Sequence, residues 1–313
     1  MKYRGHPEGL RGSFAALLTP FAEDGELDLP ALRSLAEWQR DAGSHGLSVG
    51  GSTAEPGTQT VGERLAAMKT VAEVAGDQVA FIPATGALSL TDTMTLTAAA
   101  QDLRADAALV ITPYYARPTQ QGLYEWYATI AREFPELPLI LYNVPARTAV
   151  DVHPGTVLRL RREFGNIVGI KETTKEFEHF SHVLRLCGRD FLVWSGIELL
   201  ALPLLALGGA GFISALTNLA PRSLAEMYEH WEAGRPADAR DIHFQLHPLA
   251  DLLFVETNPA PAKWVLQRQG RLPSDRVRPP LSQLSDAGRK RVQLLLDEAQ
   301  TALGRENRVK ETA

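Results

Sequence analysis

Eight short apolar runs, each followed by a helix-length amphipathic segment, constrain this chain more than any other feature. The runs are Ser13–Leu18, Gly46–Val49, Val79–Ala84, Ala107–Ile111, Leu139–Tyr142, Ile167–Ile170, Phe191–Trp194 and Gly211–Ser214. Strands buried on both faces read as continuous apolar runs. Between them, Leu29–Ala42, Val61–Ala75, Thr91–Leu103, Leu123–Phe134 and Phe177–Leu186 carry apolar residues three and four apart, the period of helices that cover a sheet. The repeated strand–helix unit predicts an α/β fold of the (βα)8 TIM barrel type. An open doubly wound sheet more often carries a glycine fingerprint after its first strand, and Leu18-Thr19-Pro20-Phe21 is not one.

After Ala220 the pattern is helical only. Pro221–Ala233, Ala237–Phe254, Pro259–Arg268 and Ser285–Ala302 read as helices, with a Pro- and Arg-rich link, Leu272–Pro280, among them. The expected organisation is a barrel over residues 1–220 and a C-terminal helical subdomain over 221–313. With 313 residues, 45% hydrophobic and 22% charged, the chain has ample material for a large core. Net charge is −5 and the arginines are scattered, which argues against nucleic-acid or membrane partners and for small-molecule substrates. Met1–Gly12 has no apolar leader core and no later run reaches membrane-spanning length, so a cytoplasmic location is expected. Cys187 is the sole cysteine, which excludes an internal disulfide and any cysteine metal cluster.

In a (βα)8 barrel the chemistry sits at the C-terminal ends of the strands. Strand six ends in Lys171, one of seven lysines against twenty-five arginines. An amine held partly out of water can add to a ketone and form a Schiff base, whereas a solvated charge at a strand end is the ordinary alternative. Strand two ends in Gly50-Gly51-Ser52-Thr53-Ala54-Glu55, strand four in Thr112-Pro113-Tyr114-Tyr115 and strand five in Tyr142-Asn143-Val144-Pro145-Ala146-Arg147. Backbone N–H and hydroxyl groups can hold a carboxylate, tyrosines can carry protons and an arginine can clamp a second carboxylate. Singly these are a turn, a packed aromatic pair and a surface ion pair. At successive strand ends, together, they favour function.

Those strand ends, with Thr19-Pro20-Phe21, Gly169-Ile170-Lys171-Glu172 and Phe254-Val255-Glu256 with Asn258-Pro259, resemble the dihydrodipicolinate synthase / N-acetylneuraminate lyase family of class I pyruvate aldolases, from Ser13 to about Leu303. The resemblance implies that Lys171 forms the Schiff base with pyruvate and that Tyr142 is the acid/base, linked to solvent through Ser52 and Tyr115. It implies that Ser52 and Thr53 hold the pyruvate carboxylate, with Gly51 and Ile213 as further substrate contacts, and that Arg147 binds the carboxylate of the aldehyde partner. No cofactor and no metal are implied. Tyr115 would enter a neighbouring subunit's site, which implies a homo-oligomer, a tetramer or a dimer.

Arg147 resembles synthase-like members, making aspartate semialdehyde the leading acceptor, yet it equally suits a catabolic aldolase for hydroxy-oxo-diacids such as 4-hydroxy-2-oxoglutarate. Ser52 stands where the family has threonine, Ala54 where it has glycine, and Lys175 where synthases usually have glycine. Leu88 replaces the asparagine of lysine-sensitive members, and Val61 and Arg64 stand where histidines would fall, which argues against lysine regulation. His243 and His247 have metal-like spacing without a third ligand nearby, and His179 and His182 are read with the same caution. Gly208-Gly209-Ala210-Gly211 precedes strand eight and reads as a turn rather than a phosphate cradle. Two other classes stay open: a catalytically idle ligand-binding barrel, and a metal- or phosphate-dependent barrel enzyme.

Overall fold

The structure, a computed structural model, describes residues 9–306. Eight strands, each followed by helix or helical turn, give the (βα)8 class. Contacts divide the chain into two compact units, one built on Ala80–Ile213 and one on Gly12–Val79 with the chain from Ser214 onward.

In the first unit, β3 (Ala80–Phe81), β4 (Ala108–Ile111), β5 (Leu139–Asn143), β6 (Ile167–Glu172), β7 (Leu192–Ser195) and β8 (Gly211–Ser214) alternate with α3 (Leu90–Asp102), α4 (Gln120–Glu133), α5 (Pro145–Thr148), α6 (Pro154–Glu163), α7 (Phe177–Cys187) and α8 (Ala201–Ala206). Strands β4 to β8 pair in sequence order, all parallel. The register sets Tyr142 beside Lys171 and Lys171 beside Trp194. Neighbouring residues of paired strands share a face and successive residues alternate, so Tyr142, Lys171 and Trp194 share one face and Asn143 and Glu172 the other. Helix α7 buries His179, Phe180 and Val183. Gly169 permits the close approach of β6 and β7, since a Cβ there would sit 2.2 Å from the Leu192 carbonyl oxygen.

In the second unit, β1 (Gly12–Ala16) and β2 (Gly46–Ser48) pair in parallel, and α1 (Leu29–Asp41) packs on α2 (Val61–Ala75). Thr60 and Glu63 form a reciprocal capping box at the start of α2, satisfying two N–H groups that the first turn leaves open. From Pro221 the chain is helical: α9 (Pro221–Glu232), α10 (Pro236–Gln245), α11 (His247–Leu252), α12 (Ala260–Arg268), α13 (Asp286–Glu298) and α14 (Gln300–Glu306). The single helix expected over Ala237–Phe254 is two, because Pro248 lacks an N–H and its ring clashes with the preceding turn. The helix expected over Ser285–Ala302 is likewise divided, at Ala299. Among the described residues no helix is long and apolar enough to cross a membrane.

Candidate active site

Lys171 ends the apolar run of β6 as a buried side chain, 5% exposed. Its Nζ lies 4.4 Å from the centre of the Tyr142 ring, itself buried on β5. The pairing follows from register, since both are the last residues of their strands on the shared face. Gly196, just beyond β7, leaves room for the lysine stem: a Cβ there would meet Lys171 Cε at 2.7 Å and Thr173 Cγ2 at 2.3 Å. Trp194, fully buried, flanks Lys171 on the β7 side. Ile213 on β8 alternates onto the face of Gly211, the register partner of Trp194, and is buried. An amine enclosed by apolar carbon with a phenol alongside is equipped for imine chemistry and proton transfer.

The other face of the same strand ends is a polar cluster that motif reading did not assign. Asn143 Nδ2 donates to both carboxylate oxygens of Glu172, at 2.9 and 3.1 Å, and to Asp151 Oδ1 at 2.6 Å. His179 Nε2 is 3.1 Å from Glu172 Oε2. Burial pushes the Glu172 carboxyl above its usual range despite these contacts. For His179 burial acts downward, but the carboxylates of Glu172, Asp151 and Glu176 outweigh it and hold the imidazole above 6.5.

Arg147 lies exposed in α5, past the end of β5. Tyr115, past the end of β4, has φ of 69° and is 90% exposed. Thus the first unit brings together Lys171, Tyr142 and the face of Ile213, while Arg147 in α5 and Tyr115 past β4 stand exposed. Cys187 is a poor nucleophile, for burial pushes its thiol up to about 11 against the opposing pull of Arg161 and Arg162.

In the second unit, Gly51 precedes a helical turn over Ser52–Ala54 that follows β2. Thr53 is buried, and its Oγ1 accepts from Asn258 Nδ2 at 3.1 Å. Glu55 closes the turn in the left-handed conformation, fully buried. Its Oε1 pairs with Lys263 Nζ at 2.5 Å and its Oε2 accepts from the Arg278 backbone N–H at 3.0 Å. Phe21 carries both cations over its ring, Lys263 Nζ and Arg278 Cζ each 4.3 Å from its centre. Burial brings the Lys263 amine down to about 8, with Glu55 opposing the shift. The motif residues Phe21, Glu55 and Asn258 therefore act as supports of the Ser52-Thr53 turn.

His243 and His247 meet edge to face with their Nε2 atoms 3.3 Å apart, and no cluster of three metal-ligating side chains occurs among the described residues. Leu88 is half exposed.

A family model described as the dihydrodipicolinate synthetase family matches residues 9–299. The 4-hydroxy-tetrahydrodipicolinate synthase of Thermus thermophilus is 47% identical over 271 residues, 87% of this chain and 90% of its own length. The synthase of the same name from Methylacidiphilum fumariolicum has a TM-score of 0.90 at 32% identity, covering 96% of this chain and 99% of that one. The dihydrodipicolinate synthase of Acinetobacter baumannii, solved in complex with pyruvate, has a TM-score of 0.88 at 38% identity, covering 93% and 99%. With the match running through both units and through the strand ends that carry Lys171 and Tyr142, the chain belongs to the dihydrodipicolinate synthetase family.

Proposed function

We propose that this enzyme is a Schiff-base lyase that condenses pyruvate with aspartate semialdehyde to give 4-hydroxy-tetrahydrodipicolinate. The observation that carries the reading is the buried Lys171 amine set against Tyr142 at adjacent strand ends, in a chain 47% identical to a synthase of that name. The Lys171 amine adds to the pyruvate ketone and water leaves, giving an imine. Tyr142 gives its proton to the hydroxyl that leaves as water, and the phenolate takes back the proton lost when the protonated imine withdraws electrons from the methyl group. The resulting enamine carbon attacks the aldehyde. The amine of aspartate semialdehyde then displaces Lys171 from the imine carbon, closing the ring and freeing the enzyme.

In this reading Gly51, Ser52 and Thr53 hold the pyruvate carboxylate and Ile213 lines the site. Ser52 and Tyr115 carry protons between Tyr142 and solvent. Arg147, exposed in α5, clamps the carboxylate of the aldehyde partner. A tyrosine 90% exposed in a left-handed conformation is well presented to a second copy, which supports a homo-oligomer, tetramer or dimer, with Tyr115 completing a neighbour's site. The Leu88 side chain offers no hydrogen bond to an amino acid, so free lysine is not expected to inhibit. Soluble small-molecule substrates agree with a cytoplasmic location.

Borohydride reduction in the presence of pyruvate tests the reading. A covalent adduct is expected on Lys171 by mass spectrometry and is expected to vanish in Lys171→Ala. Turnover of pyruvate with aspartate semialdehyde should exceed that with the 4-hydroxy-2-oxoglutarate pair of substrates. No adduct would refute the Schiff base, and the opposite substrate order would move the assignment to the catabolic aldolase.

A further inference from the structure

Glu172 is the next residue after Lys171 and is fully buried on the opposite face of β6. A carboxylate there costs several kcal/mol in lost hydration unless its surroundings compensate. The surroundings form a closed ring. Asn143, the next residue after Tyr142, donates to both oxygens of Glu172 and to Asp151. Thr173 and Thr174 donate backbone N–H groups to Glu172 Oε1 at 3.1 and 3.2 Å. His179 reaches from α7, with Nε2 at 3.1 Å from Glu172 and Nδ1 at 3.7 Å from Asp151. The backbone joins in: Thr173 N and Oγ1 both donate to the Asn143 carbonyl, at 3.1 and 2.7 Å, and Gly196 N donates to the Glu172 carbonyl at 2.7 Å.

Both covalent neighbours of the reactive pair are thus tied to each other. We propose that Glu172 and His179 are positioning residues of the Schiff-base site: the ring they close with Asn143 and Asp151 fixes the ends of β5 and β6 so that the Lys171 amine stays against Tyr142. The inference rests on the reading of Lys171 as the imine-forming residue. Neither Glu172 nor His179 is assigned to touch substrate. Their effect is geometric, and misplacement of a reacting group by about 1 Å costs on the order of 100-fold in rate. His179 also makes the ring sensitive to pH, because the groups that face it are the carboxylates of Glu172 and Asp151, with Glu176 at the start of its own helix. Loss of its proton removes one side of the ring.

The test compares wild type with Glu172→Gln, Glu172→Asp and His179→Gln, assayed well below their melting temperatures. Expected results are a fall in kcat of about 10- to 100-fold for Glu172→Gln, a KM for pyruvate within about threefold of wild type, and slower accumulation of the borohydride-trapped Lys171 adduct. His179→Gln is expected to fold normally and to erase a decline of kcat that wild type shows above pH 6.5, leaving the other limbs in place. Glu172→Asp, which keeps the charge, should recover part of the loss. If wild type traps pyruvate on Lys171 while the variants match it in kcat, trapping rate and pH profile, the positioning role is overturned and the Schiff base stands. If wild type traps nothing, both fall.

Discussion

Two buried carboxylates stand directly behind residues assigned to substrate, and the fold neutralises them in different ways. Glu55, at the end of the Ser52-Thr53 turn, faces a fully buried cation, Lys263, with one backbone N–H from Arg278 on its other oxygen. Glu172, beside Lys171, faces an imidazole whose charge depends on pH, together with three N–H donors from Asn143, Thr173 and Thr174. The turn that would hold a carboxylate is braced by an ion pair to an amine that keeps its proton up to about pH 8. The strand end that would move protons is braced by a group that can lose one. Position near a site does not fix the kind of support; what the supported residues have to do is the difference between them.

The largest expected effect breaks the first support. Lys263→Met keeps the length and apolar stem of the side chain but leaves the Glu55 carboxylate buried without its cation, so urea unfolding should show a loss of about 3–5 kcal/mol. The matching change at the second support, His179→Gln, leaves Glu172 with its three donors and should cost only about 1–3 kcal/mol. Equal losses, or a Lys263→Met loss below about 1 kcal/mol as at exposed pairs, would erase the distinction.

The second effect concerns sign. The Lys263 amine sits at about 8 in the fold against 10.5 unfolded. Below pH 8 it is charged in both states and the fold carries the full penalty. Between 8 and 10.5 the unfolded chain binds more protons, so stability rises with pH, by about 3 kcal/mol across the window. His179 runs the other way. Its folded value is raised above 6.5, so its stabilisation is complete below pH 6.5 and is lost as pH rises through the folded value. Chemical denaturation from pH 6 to 9.5 should therefore show a fall and then a rise. His179→Gln should remove the fall, and Lys263→Arg, charged throughout, should remove the rise. A wild-type profile without the fall, or one whose fall persists in His179→Gln, contradicts the account of the second support.

The supports were the part that the sequence did not disclose. The eight strands were legible because burial on both faces writes itself as uninterrupted apolar runs, and Lys171 was legible because it ends one of them. The short α6 carries few apolar residues at helical spacing, with only Val157 and Leu160 buried, and α8 is an unbroken apolar run from Ala201 to Ala206 with no polar side to mark a helix. The break between α10 and α11 has a local signal, Pro248, masked by apolar periodicity that runs across it. Lys263 looks like any surface lysine in sequence, since nothing in Ala262-Lys263-Trp264 says that its amine is enclosed. His179 reads as a residue on a helix, and only the register of β5 and β6 brings Asn143 and Glu172 to meet it. Charge burial is a tertiary property, so motif spacing marked Lys171 and Tyr142, the groups proposed to react, and missed the groups that hold them.

The smallest effect tests how far the first support extends. Arg278 serves Glu55 through its backbone, while its guanidinium binds the Gly25 and Thr58 carbonyls and pairs with Glu63 at 2.6 Å. The Arg278 hydrogen bond, ahead of opposing burial and the contacts from Thr60, holds the Glu63 carboxyl at about 2 against its ordinary 4.5. The stabilisation is therefore present above pH 4.5 and is lost as pH falls through about 2. Glu63 remains partly exposed, 22% of its side chain, so solvent screening reduces the pair to about 1 kcal/mol. Glu63→Gln should accordingly cost about 1 kcal/mol at pH 7, with stability approaching wild type as the pH is lowered toward 2. If Arg278 merely rides on the surface there, the substitution changes neither stability nor the Lys263 window. If it clamps the turn that carries Glu55, the loss comes with a weaker rise between pH 8 and 10.5, because a loosened Arg278 backbone lets water reach the buried pair and lessens the burial of Lys263.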